Sequence, residues 1–180
     1  NYWGNVNTLG PRSMYDESKR FAESAVHAYV QTHGITGNIA RIFNTYGPNM
    51  QINDGRVVTN FIYQALHEND ITIYGTGEQT RSFSYIEDTV NGILKIMTNS
   101  NSDVFNLGND NEISIKYLAE KILELTNSNS KIIYKDLPKD DPKQRKPDLT
   151  KIKNKFNYEP MFSLEEGLKI TINWVKKNHK

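Results

Sequence analysis

Apolar positions recur at helical spacing in several stretches of the chain, and short apolar runs bounded by turn residues separate them. Ile115, Leu118, Ile122 and Leu125 fall three or four apart, which predicts an amphipathic helix over 114–126. Leu164, Leu168, Ile172 and Val175 repeat that spacing in the last helix. Ser163, with Glu166 three residues on, is a capping box that starts it. Helices are also predicted over 14–33, 57–68 and 87–98. The first carries Ser18, Ala22, Ala25 and Tyr29 on one small-residue face and stops at Gly34. Residues 37–43 (GNIARIF), 71–74 (ITIY), 103–107 and 131–135 read as short strands. Residues 44–56, rich in Asn, Gly and Pro, and 136–147, rich in Pro and charge, read as loops, and Gly75 with Gly77 marks a turn. Alternating helix and strand predicts an α/β fold. The few strong strands and the helix-rich second half point to an incomplete sheet with a smaller α/β lobe.

Composition narrows the chemistry. The 180 residues suit one domain or part of a larger one. With 22 Lys and Arg against 21 acids, bulk charge does not suggest nucleic-acid binding. No run of about 18 apolar residues is present, so no membrane-spanning helix is expected. No basic leader followed by an apolar stretch opens the chain, so no signal peptide is expected. The absence of cysteine excludes disulfides, thiolate metal sites and a Cys nucleophile. His27, His33, His67 and His179 are scattered without ligand-like carboxylate spacing, so no metal is expected. Charge is uneven: residues 131–180 hold 12 Lys and 1 Arg against 7 acids, a net of +6. That excess suits a solvated lysine-rich surface, or a part of the chain that helps receive an anion.

Tyr15 and Lys19 form a Tyr-x-x-x-Lys pair within the first predicted helix, where positions i and i+4 share a face. A cation beside a phenol favours the phenolate, and a general base working near neutral pH needs that. The same spacing recurs at Tyr117 and Lys121, where it reads as a solvated pair on the polar side of its helix. The first copy therefore depends on its surroundings.

Those surroundings carry a resemblance. The stretches YWGNVN (2–7), GPRSMYDESKR (10–20), ARIFNTYGPNM (40–50), NDGRVVTNFI (53–62), ITIYGTGEQTRSFSYIEDTV (71–90) and DDPKQRKPDL (140–149) together resemble the UDP-glucuronic acid decarboxylases. These are the UDP-xylose synthases of the extended short-chain dehydrogenase/reductase group. The six stretches occur in the family's order, from Tyr2 to about Trp174. Ser18 stands where many members have Gly, and Thr8 where many have Pro; neither change removes a reacting group. The resemblance implies a partial Rossmann-type, NAD(P)-binding parallel sheet plus a small C-terminal α/β substrate-binding lobe. Residues 1–56 would form the C-terminal part of the Rossmann-like domain. Residues 57–180 would form mainly the nucleotide-sugar lobe, with segments returning to the sheet. Members of the family open with a Gly-rich turn that binds the cofactor pyrophosphate at a helix N-terminus. No G-x-G-x-x-G occurs here, so the chain is expected to correspond to the second half of such an enzyme and to have little activity alone.

The activity implied is NAD-dependent decarboxylation of UDP-glucuronate to UDP-xylose, through a 4-keto acid that loses carbon dioxide. By resemblance Tyr15 is the base for the sugar C4 hydroxyl. Lys19 supports it and holds the nicotinamide ribose, and Thr45 lies near the cofactor. Arg145, in QRKPD, would orient the sugar carboxylate and then stabilise the enolate. Arg81 would contact the diphosphate and Asn44 a phosphate. Arg56, Val57 and Asn60 would line the nucleotide pocket, with Thr72 offering backbone groups and Tyr74 packing near the uracil. Tyr74 could equally be core, and the loop polar residues could equally be turn formers. Tyr2 and Trp3 are expected simply to pack, and Trp174 to lie in the core. The helix over 14–33 is expected to form half of a homodimer's four-helix bundle, or else to pack on the rest of the protein. A cytoplasmic location is expected, or the Golgi lumen if an upstream anchor exists. Two alternatives stay open. One is a nucleotide-sugar 4,6-dehydratase or 4-epimerase; the other is a non-catalytic nucleotide-sugar-binding or dimerising module.

Overall fold

Parallel strand pairing organises this computed structural model, which describes residues 7–52, 54–137 and 144–179. In chain order the elements are α1 (Ser13–His33), β1 (Ile39–Ile42), β2 (Thr45–Tyr46), α2 (Val57–Leu66), β3 (Ile71–Tyr74), β4 (Thr80–Ser82), β5 (Ser84–Tyr85) and α3 (Ile86–Met97). They continue with β6 (Val104–Leu107), β7 (Glu112–Ser114), α4 (Ile115–Thr126), β8 (Ile132–Lys135), β9 (Gln144–Arg145), α5 (Thr150–Phe156) and α6 (Leu164–Asn178). β1 pairs in parallel with β6, β2 with β5, β3 with β8 and β4 with β9, while β7 adds an antiparallel neighbour to β4. Parallel pairs need long crossovers, and the helices supply them.

Two apolar clusters form around these pairs. Beneath β1 and β6, Phe105 and Leu107 alternate inward and meet Ile96 of α3, Ile152 of α5, Leu149 and Tyr158. The larger cluster joins α2, α4 and α6 to β3 through residues such as Phe61, Ile62, Ile73, Leu118, Ile122 and Ile172. The capping box forms as its spacing requires: Ser163 N–H donates to Glu166 Oε2 at 2.9 Å, and Glu166 N–H donates to Ser163 Oγ at 3.3 Å. Both acidic partners of α6's first turn, Glu165 and Glu166, lie below the ordinary carboxylate range because Lys169 and Ser163 bond them.

α1 differs from the other helices. It has no buried residue, and Met14, Phe21 and Tyr29 are exposed. It ends at Gly34, whose φ of 64° puts the backbone where a side chain is disfavoured. A two-pronged ion pair anchors it to β1: Arg41 Nε and Nη2 each stand 2.6 Å from a Glu23 oxygen. That fork holds the Glu23 carboxyl below its ordinary range. Glycine at 37 lets the following chain pass under α1, since a Cβ there would lie 2.7 Å from Val30 Cγ2.

Several expectations change. Residues 136–147 are not wholly loop, because Gln144–Arg145 is a strand held by β4. Residues 44–56 likewise contain β2. α5 escaped the periodicity because its sequence TKIKNKF carries a single buried apolar residue, Ile152, among three lysines. Trp174 packs at the margin of the larger cluster rather than inside it. Lys121 bonds Glu124 at 2.8 Å, which makes the second Tyr-x-x-x-Lys copy part of a surface ion pair. Tyr2, Trp3, Asn53 and residues 140–143, which belong to the stretches quoted above, lie outside the described residues.

One buried carboxylate fastens the approach to α6. Asp88, 2% exposed in the first turn of α3, accepts from the backbone N–H of Met161 at 2.9 Å and of Phe162 at 3.2 Å. Asp88→Ala strands both donors in a partly buried place. It is expected to cost about 2–3 kcal/mol, read as a fall in Tm of roughly 5–10 °C. A Tm within about one degree of the parent would show that these bonds do not hold the segment.

Candidate active site

The chain turns at Gly10 and enters α1 at Ser13, which sets Tyr15 and Lys19 on its first two turns. Lys19 Nζ lies 5.4 Å from the Tyr15 ring centroid, so the spacing does place the two side chains on one face. Tyr15 is 62% exposed, and the hydroxyl of Ser18 donates to its carbonyl at 2.7 Å. The phenol is thus presented outward on a regular helix.

Asn44 and Thr45 follow the C-terminal end of β1, where ligands settle in parallel α/β sheets. Backbone bonds fix them: Phe43 N–H donates to Leu107 O, and Ser84 N–H donates to Asn44 O, both at 2.9 Å. Thr45 is opposite Ser84 in the β2–β5 pair. Its Oγ1 stands 3.0 Å from both Phe43 O and Thr89 Oγ1.

β4 continues through Phe83 into β5, so the strand that holds Asn44 and Thr45 also leads back to Arg81. Arg81 is 6% exposed and its Nη1 donates to Thr80 O at 2.8 Å. In the parallel β4–β9 register Arg81 stands directly opposite Arg145. Side chains opposite each other in a strand pair emerge on the same face. Two residues 64 positions apart in the sequence are therefore neighbours. Ser82 approaches the Arg145 carbonyl at 3.5 Å, which ties β9 down once more.

The remaining candidates lie at the start of α2 and on β3. Arg56 precedes α2 with its side chain largely in solvent, and its Nε stands 3.2 Å from Asp54 Oδ2. Val57 packs partly on the core, and Asn60 is half-buried on the same helix. Thr72 is buried, and its N–H already donates to Gln64 Oε1 at 3.2 Å, so that donor is engaged within the protein. Tyr74 is not core: it is exposed at the end of β3, and Gln79 Nε2 donates to its carbonyl at 2.6 Å.

The structure thus joins Arg81 with Arg145, and Asn44 and Thr45 with Ser84. It keeps Tyr15 with Lys19 on α1. Sequence reading passed over Ser84, Thr89 and Tyr158, which form a buried polar group behind Thr45. Isolated hydroxyls carry no local pattern, and nothing in their spacing marks them. Tyr158, deeply buried, has its phenol pushed up to about 12, chiefly by desolvation. Among the described residues no group of three or more His, Asp or Glu side chains could hold a metal ion. For a dinucleotide, the fitting groups are the phenol and ammonium of Tyr15 and Lys19 and the half-buried hydroxyl of Thr45. No helix among the described residues is long and apolar enough to cross a membrane.

Comparison with known proteins adds the following. Residues 4–108 match the family described as the NAD dependent epimerase/dehydratase family. A UDP-glucuronic acid decarboxylase 1 of Xenopus tropicalis is 49% identical over 176 residues, covering 98% of this chain and 42% of that protein. The chain spans less than half the length of the curated relatives it matches. Among solved structures, the UDP-glucose 4-epimerase of Thermotoga maritima with UDP-glucose superposes with a TM-score of 0.88 at 30% identity, over 92% of this chain and 54% of that one. The UDP-glucuronic acid 4-epimerase of Bacillus cereus, in complex with UDP-glucuronic acid and NAD, gives 0.85 at 26% identity over 98% and 57%. These likenesses carry the α/β, Rossmann-like fold.

Proposed function

The chain belongs to the NAD dependent epimerase/dehydratase family, and on that premise we propose that it carries catalytic and nucleotide-sugar groups of a UDP-glucuronate decarboxylase that forms UDP-xylose. The observation that carries the proposal is the Arg81–Arg145 register. The register sets two guanidinium-bearing residues on one face, and a guanidinium grips phosphate or carboxylate oxygens through charge-assisted, two-pronged hydrogen bonds. UDP-glucuronate brings two kinds of anion, a diphosphate and a carboxylate. Arg81, the more buried of the two, suits the diphosphate. Arg145, on the short outer strand, suits the carboxylate, which its planar fork grips in two places.

In this proposal Tyr15 removes the proton of the sugar C4 hydroxyl, and Lys19 keeps a positive charge beside the phenol as negative charge develops there. NAD, when bound, supplies the hydride acceptor and donor. Lys19 and Thr45 would hold it. Arg145 first orients the carboxylate and then faces the oxygen on which charge gathers as carbon dioxide leaves. Asn44, at the strand end, would meet a phosphate. Arg56, Val57, Asn60 and Tyr74 would border the nucleotide. The exposed apolar residues of α1, Met14, Phe21 and Tyr29, fit burial against a second copy of the chain.

A 4-epimerase is the second reading, favoured by the solved structures above. The products separate the two. Full-length protein given UDP-glucuronate and NAD is expected to release UDP-xylose and one equivalent of carbon dioxide. A C4 epimer that keeps its carboxylate, or conversion of UDP-glucose to a 4-keto-6-deoxy sugar with UDP-glucuronate left unchanged, would overturn the decarboxylase reading. Calorimetric titration supplies an independent check on the arginine pair. Arg81→Ala is expected to weaken UDP binding about tenfold or more, the worth of a charge-assisted fork on phosphate. Equal affinity in parent and variant would remove Arg81 from the diphosphate site.

A further inference from the structure

α1 carries more than the Tyr15–Lys19 pair. Glu23 lies four residues beyond Lys19, so Tyr15, Lys19 and Glu23 follow one another along one side of the helix, each turned by about 40° from the last. The Glu23 carboxylate reaches off α1 to β1: Arg41 Nε donates to its Oε1 and Arg41 Nη2 to its Oε2, both at 2.6 Å. Two parallel bonds between planar groups fix direction as well as distance. Arg41 is itself held in the sheet, opposite Asn106 in the β1–β6 register. The lower end of this layer is tied separately. Gly37 N–H donates to Ser102 Oγ at 3.0 Å, Asn38 Nδ2 to Asn99 O at 3.0 Å, and Asn99 Nδ2 to Asn38 Oδ1 at 2.8 Å.

α1 meets Gly37 at Val26 and Val30 and meets Arg41 at Glu23, so helix and strand run in opposite directions. Going back from Glu23 to Tyr15 climbs eight residues of helix, about 12 Å. Going on from Arg41 to Asn44 and Thr45 climbs three or four extended residues, about 10–13 Å. The fork therefore brings the phenol to the height of the strand end. α1 buries no residue, so apolar packing supplies little to hold that height. A slip of one helical turn would move the phenol by about 5.4 Å.

We propose that Glu23 and Arg41 are a positioning pair for the reaction: their fork sets how high α1 sits on the sheet and so keeps the Tyr15 phenol level with Asn44 and Thr45. Both act through Tyr15 and not on the substrate. The purpose of the fork rests on the role proposed above for Tyr15; the seating of α1 does not. The Arg41 side chain is 54% exposed and that of Glu23 30%. A pair so placed contributes little to overall stability, so its loss should show in the rate before it shows in the fold.

The test measures kcat and KM for UDP-glucuronate, and Tm, in full-length protein. Glu23→Ala, Arg41→Met and the double variant are compared with the parent and with Tyr15→Phe. Alanine keeps the helix, and methionine keeps much of the aliphatic stem of Arg41. Each single change is expected to lower kcat about tenfold or more, since a misplacement of about 1 Å can cost up to 10²-fold. KM should stay within about twofold, because Arg81 and Arg145 stand on β4 and β9. Tm should stay within about 3 °C of the parent. The double variant should lose no more than either single one, because both changes break the same fork. Losses that multiply in the double variant overturn the fork as their common cause. A raised KM with a Tm lower by about 10 °C or more shows a structural role and overturns the proposal. So does a parent-like kcat in Glu23→Ala when Tyr15→Phe is slow. A Tyr15→Phe variant as fast as the parent overturns instead the reading of Tyr15, and with it any purpose of the fork in the reaction.

Discussion

Tyr15→Phe is expected to lower the turnover of UDP-glucuronate by about 10²–10⁴-fold, the usual worth of a positioned general base. The substitution removes one oxygen and keeps the ring. Tyr15 is largely exposed on a helix that buries no residue, so the fold has little to lose. Stability should stay within about 0.5 kcal/mol of the parent. Affinity for UDP should be unchanged, because the arginine pair lies on β4 and β9 and not on α1. This combination separates a chemical role from a structural one. A variant of Tyr15 that keeps a third or more of the parent turnover would remove the phenol from the reaction, whatever else the protein binds. Lys19→Met tests the same pair from the other side, since the ammonium sits over the ring at 5.4 Å.

Arg145→Ala is expected to lower turnover by about 10²–10³-fold, the loss seen when one preorganised stabiliser of a developing oxyanion is removed. Its binding signature is more telling than its rate. Affinity for UDP-glucuronate should fall about tenfold, while affinity for UDP alone should change less than twofold, because only the acid sugar offers the carboxylate. Arg145→Lys should recover little of either loss, since a point charge cannot reproduce a planar fork. The backbone of β9 is held through main-chain pairing with β4 and through Ser82, so the strand itself should survive either change. Equal weakening of UDP and UDP-glucuronate would place Arg145 on the diphosphate beside Arg81. The rate would then have to be explained without a guanidinium on the carboxylate.

How far the site could be read without coordinates differs from residue to residue. The Tyr15–Lys19 pair was legible because its geometry is set by helix pitch, and the helix is long and well terminated by Gly34. α4 and α6 were legible for the same reason: Leu118 and Ile122, or Leu168 and Ile172, each mark one face within a single turn. Arg81 and Arg145 stood out as arginines within motifs, yet nothing local showed that they face each other. β9 is two residues long, too short to show alternation, and it exists only because β4 lies beside it. α5 is an amphipathic helix with one buried anchor, and its lysines hide it. The charge-rich segment 136–147 looked like a loop on composition, although its end is the strand that carries Arg145.

What the sequence alone determined was therefore the α/β alternation, the longer helices with their caps, and the phenol–ammonium pair. Each depends on residues within a few positions of one another, where helix periodicity and capping act directly. Only the tertiary structure decided that two arginines share one face, that the Thr72 amide is already engaged, and that the Thr45 hydroxyl meets Thr89 of a distant helix. Strand pairs and buried hydroxyl bonds join groups from distant parts of the chain. Their partners follow from how the whole chain packs and not from any neighbour in sequence.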